Sequence, residues 1–507
     1  MTQTLAALFA PHPGTSPAIG APDRPWLTYD GLRAQTDVVR VALHGAGIGR
    51  GDRVAIVLPN GPEMAAAFVT VAQVAVTAPL NPAYKREEFD FYLTDLKARA
   101  IILPEGQDGP AFDAAMAQDL IILRLAFDAS QPAGGFTLHA DGIGGGADTT
   151  APGPEDVALI LHTSGTTSRP KIVPLLQSNV AASAGNIGRS LALTPADRCL
   201  NVMPLFHIHG LVAAVSSSLA AGGSVWCAPG FDALKFFGWM QTAIPTWYTA
   251  VPTMHQTILT RAARNAETIA RVPLRFLRSS SASLPPQVML ELAATFNAPV
   301  IEGYGMTEAA HQMASNPLPP RVQKPGSVGV EAGPQVRIAH EVENRLTDGI
   351  GEIVISGPNV TPGYEGNPEA NAKSFFIADG TRWFRTGDQG SFDAEGYLSL
   401  TGRLKEIINR GGEKVSPLEI DAVLMDHPGV QQVVTFAMPH PKLGEEVAAA
   451  VVLRDGAIAD EAAIRAFCET RLASFKVPRR VVILTEIPKG ATGKLQRIGL
   501  AEKLGLA

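Results

Sequence analysis

The chain has 507 residues, 46% hydrophobic and 18% charged, with 42 basic against 48 acidic side chains and a net charge of −6. That length exceeds one ordinary core and suggests two to four domains, and the acidic balance without a dense Lys/Arg block argues against a nucleic-acid binder. The 3 cysteines, Cys199, Cys227 and Cys468, are too dispersed for a zinc spacing or a disulfide framework, which points to a reducing compartment.

In chain order, "MTQTLAALFAPHPG" has no basic n-region and too short an apolar run for a signal peptide. "RVAIVLP" (53–59) reads as a buried strand, followed by a helix over 62–76. The apolar window 64–80 is Ala-rich and interrupted by Thr70, Gln73 and Thr77. It reads as a packed helix rather than a membrane span. The Gly-rich piece 141–156 reads as a connector, and "DVALILHTSG" (156–165) as a second buried strand entering a turn. "SVWCAP" (224–229) and "PTWYTAVP" (245–252) repeat the strand pattern, and the alternation with helices predicts α/β layers with largely parallel sheets.

The texture changes after about residue 400. Ser416, Pro417 and Glu419 form a capping box with proline at the first helical position, so a helix starts there. Strands follow at 430–439 and 445–456. Asp460 caps a helix that turns Ile464, Phe467 and Leu472 inward, and a last strand is expected at 479–488. This is a small α+β unit of ordinary domain size. The expected division is 1–402 and 403–507.

Four segments carry chemistry. "LHTSGTTSRPK" (161–171) sets Thr163, Ser164, Gly165, Thr166, Thr167 and Ser168 before Lys171. Turn N–H groups, hydroxyls and a cation suit phosphate, although the common phosphate-loop string is absent. "IEGYGMTEAAHQM" (301–313) offers an aromatic for a base, a hydroxyl for phosphate and a carboxylate for Mg²⁺. In "RTGDQGS" (385–391), Asp388 stands between glycines where a carboxylate can accept ribose hydroxyls. "PKGATGK" (488–494) ends on Lys494.

Together these strings resemble the acyl-adenylate-forming (AMP-binding) superfamily, acyl-CoA synthetase branch, over essentially the whole chain. The resemblance implies a large N-terminal domain of αβ-layered sheets with a β-rich subdomain, plus a small mobile α+β C-terminal domain. It implies two steps. A carboxylate attacks the α-phosphate of ATP to give acyl-AMP, and the thiol of coenzyme A then displaces AMP. Thr163, Ser164, Gly165, Thr166, Thr167 and Lys171 would hold the leaving pyrophosphate. Gly303 and Tyr304, with Ser281, Ala282 and Ser283, would surround the adenine. Thr307 would contact phosphate, and Glu308 would hold Mg²⁺. Asp388 and Arg403 would fix the ribose, and Lys494 would bridge acid and α-phosphate. Lys405 would be the hinge, with Gly411 and Gly412 lining the thiol route. Lys476, Arg479 and Arg480 are candidates for coenzyme A phosphates, with surface solvation as the other reading.

The segments facing the acid are rich in imidazoles and hydroxyls, which suits a small polar acid with a second charge. "PLFHIHGL", "LRSSSASLPP", "TEAAHQM" and "INRGGEKVSP" most resemble oxalate-CoA ligases. By that resemblance His207 or His209, His311 and one serine of 279–283, Ser279 among them, would hold the distal carboxylate. His255 reads as a packed histidine. The alternatives are ligation of malonate, a short fatty acid or an aryl acid, or a non-catalytic adenylate sensor. The expected partners are a small carboxylic acid, with no nucleic acid and no membrane. The expected location is cytoplasmic, and the oligomeric state is open. Ser168 and Ile172 stand where the family usually has glycine, and Arg169 reads as a spacer.

Overall fold

The computed structural model describes residues 3–141, 146–163, 170–490 and 494–507. Its first sheet has seven strands. Arg53–Ile56, Val76–Pro79, Ala100–Pro104, Ile121–Ala126 and Val157–His162 pair in parallel, and Thr137–Asp141 and Ile172–Leu176 close the edges antiparallel. The inner strands are runs such as "AIILP" and "VALILH", apolar without alternation because both faces are covered.

The second sheet has nine strands. Pro17–Gly20, Ser224–Cys227, Arg198–Asn201, Trp247–Ala250, Phe276–Ser280 and Val300–Met306 run parallel. Leu27–Thr28, His311–Ser315 and Val330–Glu331 are antiparallel at the edges. Helix Pro62–Val71 packs between the two sheets and touches strands of both. Every residue in it except Glu63 is buried, as expected of a helix that is apolar all round. Among the described residues no helix is long and apolar enough to cross a membrane.

The helix expected over 62–76 stops at Val71. The chain turns through Ala72–Ala75, and β-branched Val76 and Thr77 enter the sheet beside Arg53 and Val54. The apolar window is therefore a helix and a strand in succession. The connector expected over 141–156 falls partly outside the described residues.

A third, antiparallel sheet contains Gln335–Ala339, Gly351–Ser356, Phe375–Ala378, Thr381–Phe392 and Leu398–Arg403. The fourth contains Ile408–Arg410, Glu413–Val415, Val430–His440, Gly444–Leu453 and Arg480–Leu484. Lys405 is exposed between these two sheets. Helices Pro417–Met425 and Glu461–Glu469 complete the small unit, capped by the Ser416 and Asp460 side chains. Only half of the expected capping box forms. The Ser416 hydroxyl accepts from Glu419 N, while the Glu419 carboxylate is drawn to Lys476 Nζ at 2.7 Å. Of the expected inward residues, Ile464 is buried, whereas Phe467 and Leu472 are half-buried and Cys468 takes the second core position.

Near the end of the chain Arg497 joins three separate segments. Its Nε lies 3.2 Å from Glu406 and its Nη2 3.0 Å from Asp421, and Nη1 donates to the carbonyl of Thr435.

Candidate active site

The nine-stranded sheet delivers its chemistry at the carboxyl ends of its parallel strands, where ligands of open α/β sheets bind. Strand Val300–Met306 ends in a one-turn 3₁₀ helix, Thr307–Ala309, and returns as His311–Ser315. The return is so tight that a Cβ on Gly305 would stand 2.0 Å from the carbonyl oxygen of His311. Gly305→Ala should therefore force the two strands apart. A loss of about 1–3 kcal/mol in thermal or chemical unfolding is expected, with acid-dependent turnover reduced as His311 is displaced.

Tyr304 donates its hydroxyl to Asp388 Oδ2 at 2.5 Å, and Arg403 Nε lies 3.2 Å from Asp388 Oδ1. The second contact follows from register, because Asp388 and Arg403 are directly opposed on the antiparallel strands Thr381–Phe392 and Leu398–Arg403. Burial pushes the Asp388 carboxyl up, with Arg403 and the Tyr304 hydroxyl pulling the other way.

Glu308 is also buried, and burial raises its carboxyl. Its Oε1 accepts from the Tyr364 hydroxyl at 2.7 Å, and Lys171 Nζ sits 4.4 Å from the centre of the Tyr364 ring. Tyr364 therefore links the carboxylate to the lysine, a role that neither quoted motif announced. Thr163 and Lys171 close the base of their loop. Thr163 N donates to the Lys171 carbonyl at 3.0 Å, and Lys171 N to Thr163 Oγ1 at 3.3 Å. Ser164, Gly165, Thr166, Thr167, Ser168 and Arg169 lie outside the described residues. Ile172 begins the buried edge strand opposite His162, where a β-branched side chain fits.

The histidines gather beside this group. A fully buried π-helix, His209–Ser216, starts at His209. His209 Nδ1 lies 3.0 Å from Ser281 Oγ and Nε2 lies 2.6 Å from Thr249 Oγ1. The His311 ring is 5.2 Å from the His209 ring, and its Nδ1 has no partner among the described residues. His207 accepts the His209 N–H on Nδ1 at 3.2 Å. Three residues here hold positive φ without being glycine, Ser281 at 76°, Ala310 at 47° and His311 at 102°. Such outliers persist where surrounding structure over-determines them.

Ser279 does not join the histidines. Side chains alternate along Phe276–Ser280, and Ser279 is in register with Glu302 while Arg278 is in register with Thr249. Ser279 therefore falls on the face away from Thr249 and His209, whereas Ser281, past the strand end at φ 76°, turns out of the alternation and meets His209. Glu302 Oε1 accepts from Leu284 N at 2.9 Å and so anchors the loop that carries Ser281, Ala282 and Ser283. Burial pushes Glu302 up to about 8. His255 is a packed histidine, with both ring nitrogens engaged by the Tyr248 hydroxyl and the Arg278 carbonyl.

Lys494 comes from the small unit, on a turn closed by Gly490 N donating to its carbonyl. Its charge acts on His207, His209, His311 and Asp388. Burial, then the charge of Arg403, pushes its ammonium down to about 8 against the pull of Asp388. Gly411 (φ 61°) and Gly412 (φ 99°) form the exposed two-residue turn between Ile408–Arg410 and Glu413–Val415, where both positions require positive φ. Lys476 is held by Glu419, and Arg480 lies 3.3 Å from Glu461.

No group of three or more His, Cys, Asp or Glu able to hold a metal occurs among the described residues. A single buried carboxylate, Glu308, linked through Tyr364 to Lys171, nevertheless fits Mg²⁺, which takes one or two carboxylates and leaves its other positions to phosphate and water.

The sequence matches two family models in order: AMP-binding enzyme over residues 9–365, and AMP-binding enzyme C-terminal domain over residues 419–494. It is 47% identical to an oxalate-CoA ligase of Arabidopsis thaliana, covering 89% of this chain and 88% of that one. It is 43% identical to an oxalate-CoA ligase of Saccharomyces cerevisiae, covering 91% and 88%. Among solved structures it resembles ATP-bound MatB from Rhodopseudomonas palustris, with a TM-score of 0.88 and 30% identity over 99% of both chains. The apo form of that protein scores 0.80. On these matches the chain belongs to the AMP-binding enzyme family.

Proposed function

We propose that the protein is an ATP-dependent, AMP-forming acid-CoA ligase whose favoured acid is oxalate. The observation that carries this reading is the convergence of Lys494, the Tyr304–Asp388–Arg403 group, the Tyr364–Glu308 pair and three imidazoles around one point. Two oxalate-CoA ligases, 47% and 43% identical to this chain, support the choice of acid.

A carboxylate approaching a triphosphate meets like charge, worth about 4 kcal/mol per unit pair at 4 Å near a protein surface. Catalysis must therefore come from positioning and charge stabilisation. In the first step a carboxylate oxygen bonds to the α-phosphorus, and the bond to the pyrophosphate oxygen breaks. Lys494 bridges the acid and the α-phosphate. Thr163 and Lys171, with the loop between them, hold the pyrophosphate, and Thr307 contacts phosphate. Asp388 and Arg403 fix the ribose. Gly303 and Tyr304, with Ser281, Ala282 and Ser283, bound the adenine. Glu308 would hold Mg²⁺, which when bound neutralises phosphate charge.

In the second step the thiol of coenzyme A attacks the acyl carbon and AMP leaves. The thiol needs the place held by Lys494. The small domain, divided from the large one at 402/403, turns about Lys405 and brings Gly411 and Gly412 to line the thiol route. Within the acid pocket we assign direct contacts to His207, Ser281 and His311. His209 acts through Ser281, because both of its nitrogens are engaged by hydroxyls. The proposed setting is cytoplasmic.

A panel of acids tests this. With ATP, Mg²⁺ and coenzyme A, oxalate should give the highest kcat/KM for AMP formation, ahead of malonate, acetate and benzoate. A higher value for another acid would replace oxalate in the proposal. ATP binding without AMP formation from any acid would favour a nucleotide sensor.

A further inference from the structure

The proposed acid carries two carboxylates, and Lys494 answers one of them. The imidazoles around it do not supply a second charge. Burial is the leading cause that holds His207, His209 and His311 well below the usual imidazole range, so each is a neutral hydrogen-bonding group.

Arg278 lies beneath them. It is in the middle of strand Phe276–Ser280 with no exposed surface. It is in register with Thr249, whose hydroxyl contacts His209. Its guanidinium runs along this face to Gly303, where a Cβ would stand 2.8 Å from Nη2. The approach of Arg278 thus accounts for glycine at 303. Among the described residues the guanidinium makes one hydrogen bond, from Nη2 to Gln312 Oε1 at 3.3 Å, and Nε and Nη1 have no partner. No carboxylate appears among the groups acting on it. Burial lowers it to about 10, which leaves it charged at neutral pH.

A buried, uncompensated charge with orphan donors is costly, and chains ordinarily pair it. Among the described residues no carboxylate is paired with it. Nδ1 of His311, on which the Arg278 charge acts, is a further buried polar atom without a partner among the described residues. We propose that Arg278 is the specificity-determining counter-charge for the second carboxylate of the acid, so that the site selects dianionic acids over monoanions of the same shape. This rests on the acid-CoA ligase reading above. A bracing role through Gln312 is the competing account.

Oxamate tests the proposal, because it is oxalate with one carboxylate replaced by a neutral amide. The wild type should prefer oxalate over oxamate by about 100-fold in kcat/KM, and Arg278→Gln should shrink that preference to below about 10-fold. The loss should appear in KM for the acid, with KM for ATP unchanged. Arg278→Lys keeps the charge and should keep the preference at a raised KM, and it serves if Arg278→Gln does not fold. An unchanged oxalate/oxamate ratio in a folded Arg278→Gln protein, or an equal fall for both acids, would overturn the proposal and leave Arg278 as a brace. If the wild type uses malonate instead of oxalate, the oxalate assignment fails on its own. The same ratio, taken between malonate and its half-amide, then decides Arg278. Preference for a monocarboxylic acid would overturn both.

Discussion

Lys494→Ala should lower the rate of acyl-adenylate formation by about 10²–10³-fold, the scale of removing one preorganised charge-stabilising donor. The second half-reaction, from supplied acyl-AMP and coenzyme A, should change little. Pyrophosphate release and thioester formation, measured separately on the same preparation, check this. Equal loss in both would remove Lys494 from the first step. A pH effect follows from the environment of the same side chain. Burial and Arg403 push its ammonium down to about 8. The charged form is the protonated one, so the useful charge is complete below pH 8 and is lost as pH rises through it. The kcat/KM for adenylation, which reports the free enzyme, should therefore fall on the alkaline side of about pH 8. Lys494→Arg, which cannot lose its proton there, should abolish that alkaline limb even if its rate is lower.

Asp388→Asn should separate activity from stability. The carboxylate is buried and its pKa is raised, with burial as the leading cause. A raised carboxyl pKa means that the folded state disfavours the charged form, so this ionisation adds no stability that acid would remove. Asparagine keeps an acceptor for the Tyr304 hydroxyl. We therefore expect an unchanged or higher melting temperature, together with a fall of about 100-fold in kcat/KM for ATP as a charged ligand to the ribose is lost. Isothermal titration with ATP and a thermal melt check both halves. A drop in melting temperature with ATP affinity intact would show that the group serves the fold. Glu308→Gln carries the same sign, because burial raises that carboxyl too.

Much of this arrangement is legible in the sequence. The strands that open on Val157 and Trp247 are short apolar runs between turn signals, and the helices capped by Ser416 and Asp460 announce their first turns. The motif residues Tyr304, Glu308, Asp388 and Lys494 stand in recognisable strings. What the strings do not contain is their non-local wiring. Tyr364 reaches Glu308 across 56 residues and Tyr304 reaches Asp388 across 84. No local pattern encodes either contact.

Arg278 was hidden for a related reason. In "LRSSSASL" the serines draw the eye, yet strand alternation decides which side chains face the histidines, and it selects Arg278 over Ser279. The helix predicted over 62–76 erred because a run apolar on all sides fits a buried helix and a buried strand equally well.

The Arg497 cluster has a consequence for timing. Arg497 follows Lys494 by three residues, and it grips Glu406, the neighbour of the proposed hinge residue, together with Asp421 and Thr435 in the body of the small unit. Three residues from this anchor, the lysine is tied to the part that would turn in the proposed rotation. In the proposed rotation, withdrawing Lys494 and advancing the 411–412 turn would be a single stroke of one lever. In the proposed cycle such a lever would make the enzyme a clocked device, with each half-reaction locked out while the other has the site and the order of chemical events set by mechanics.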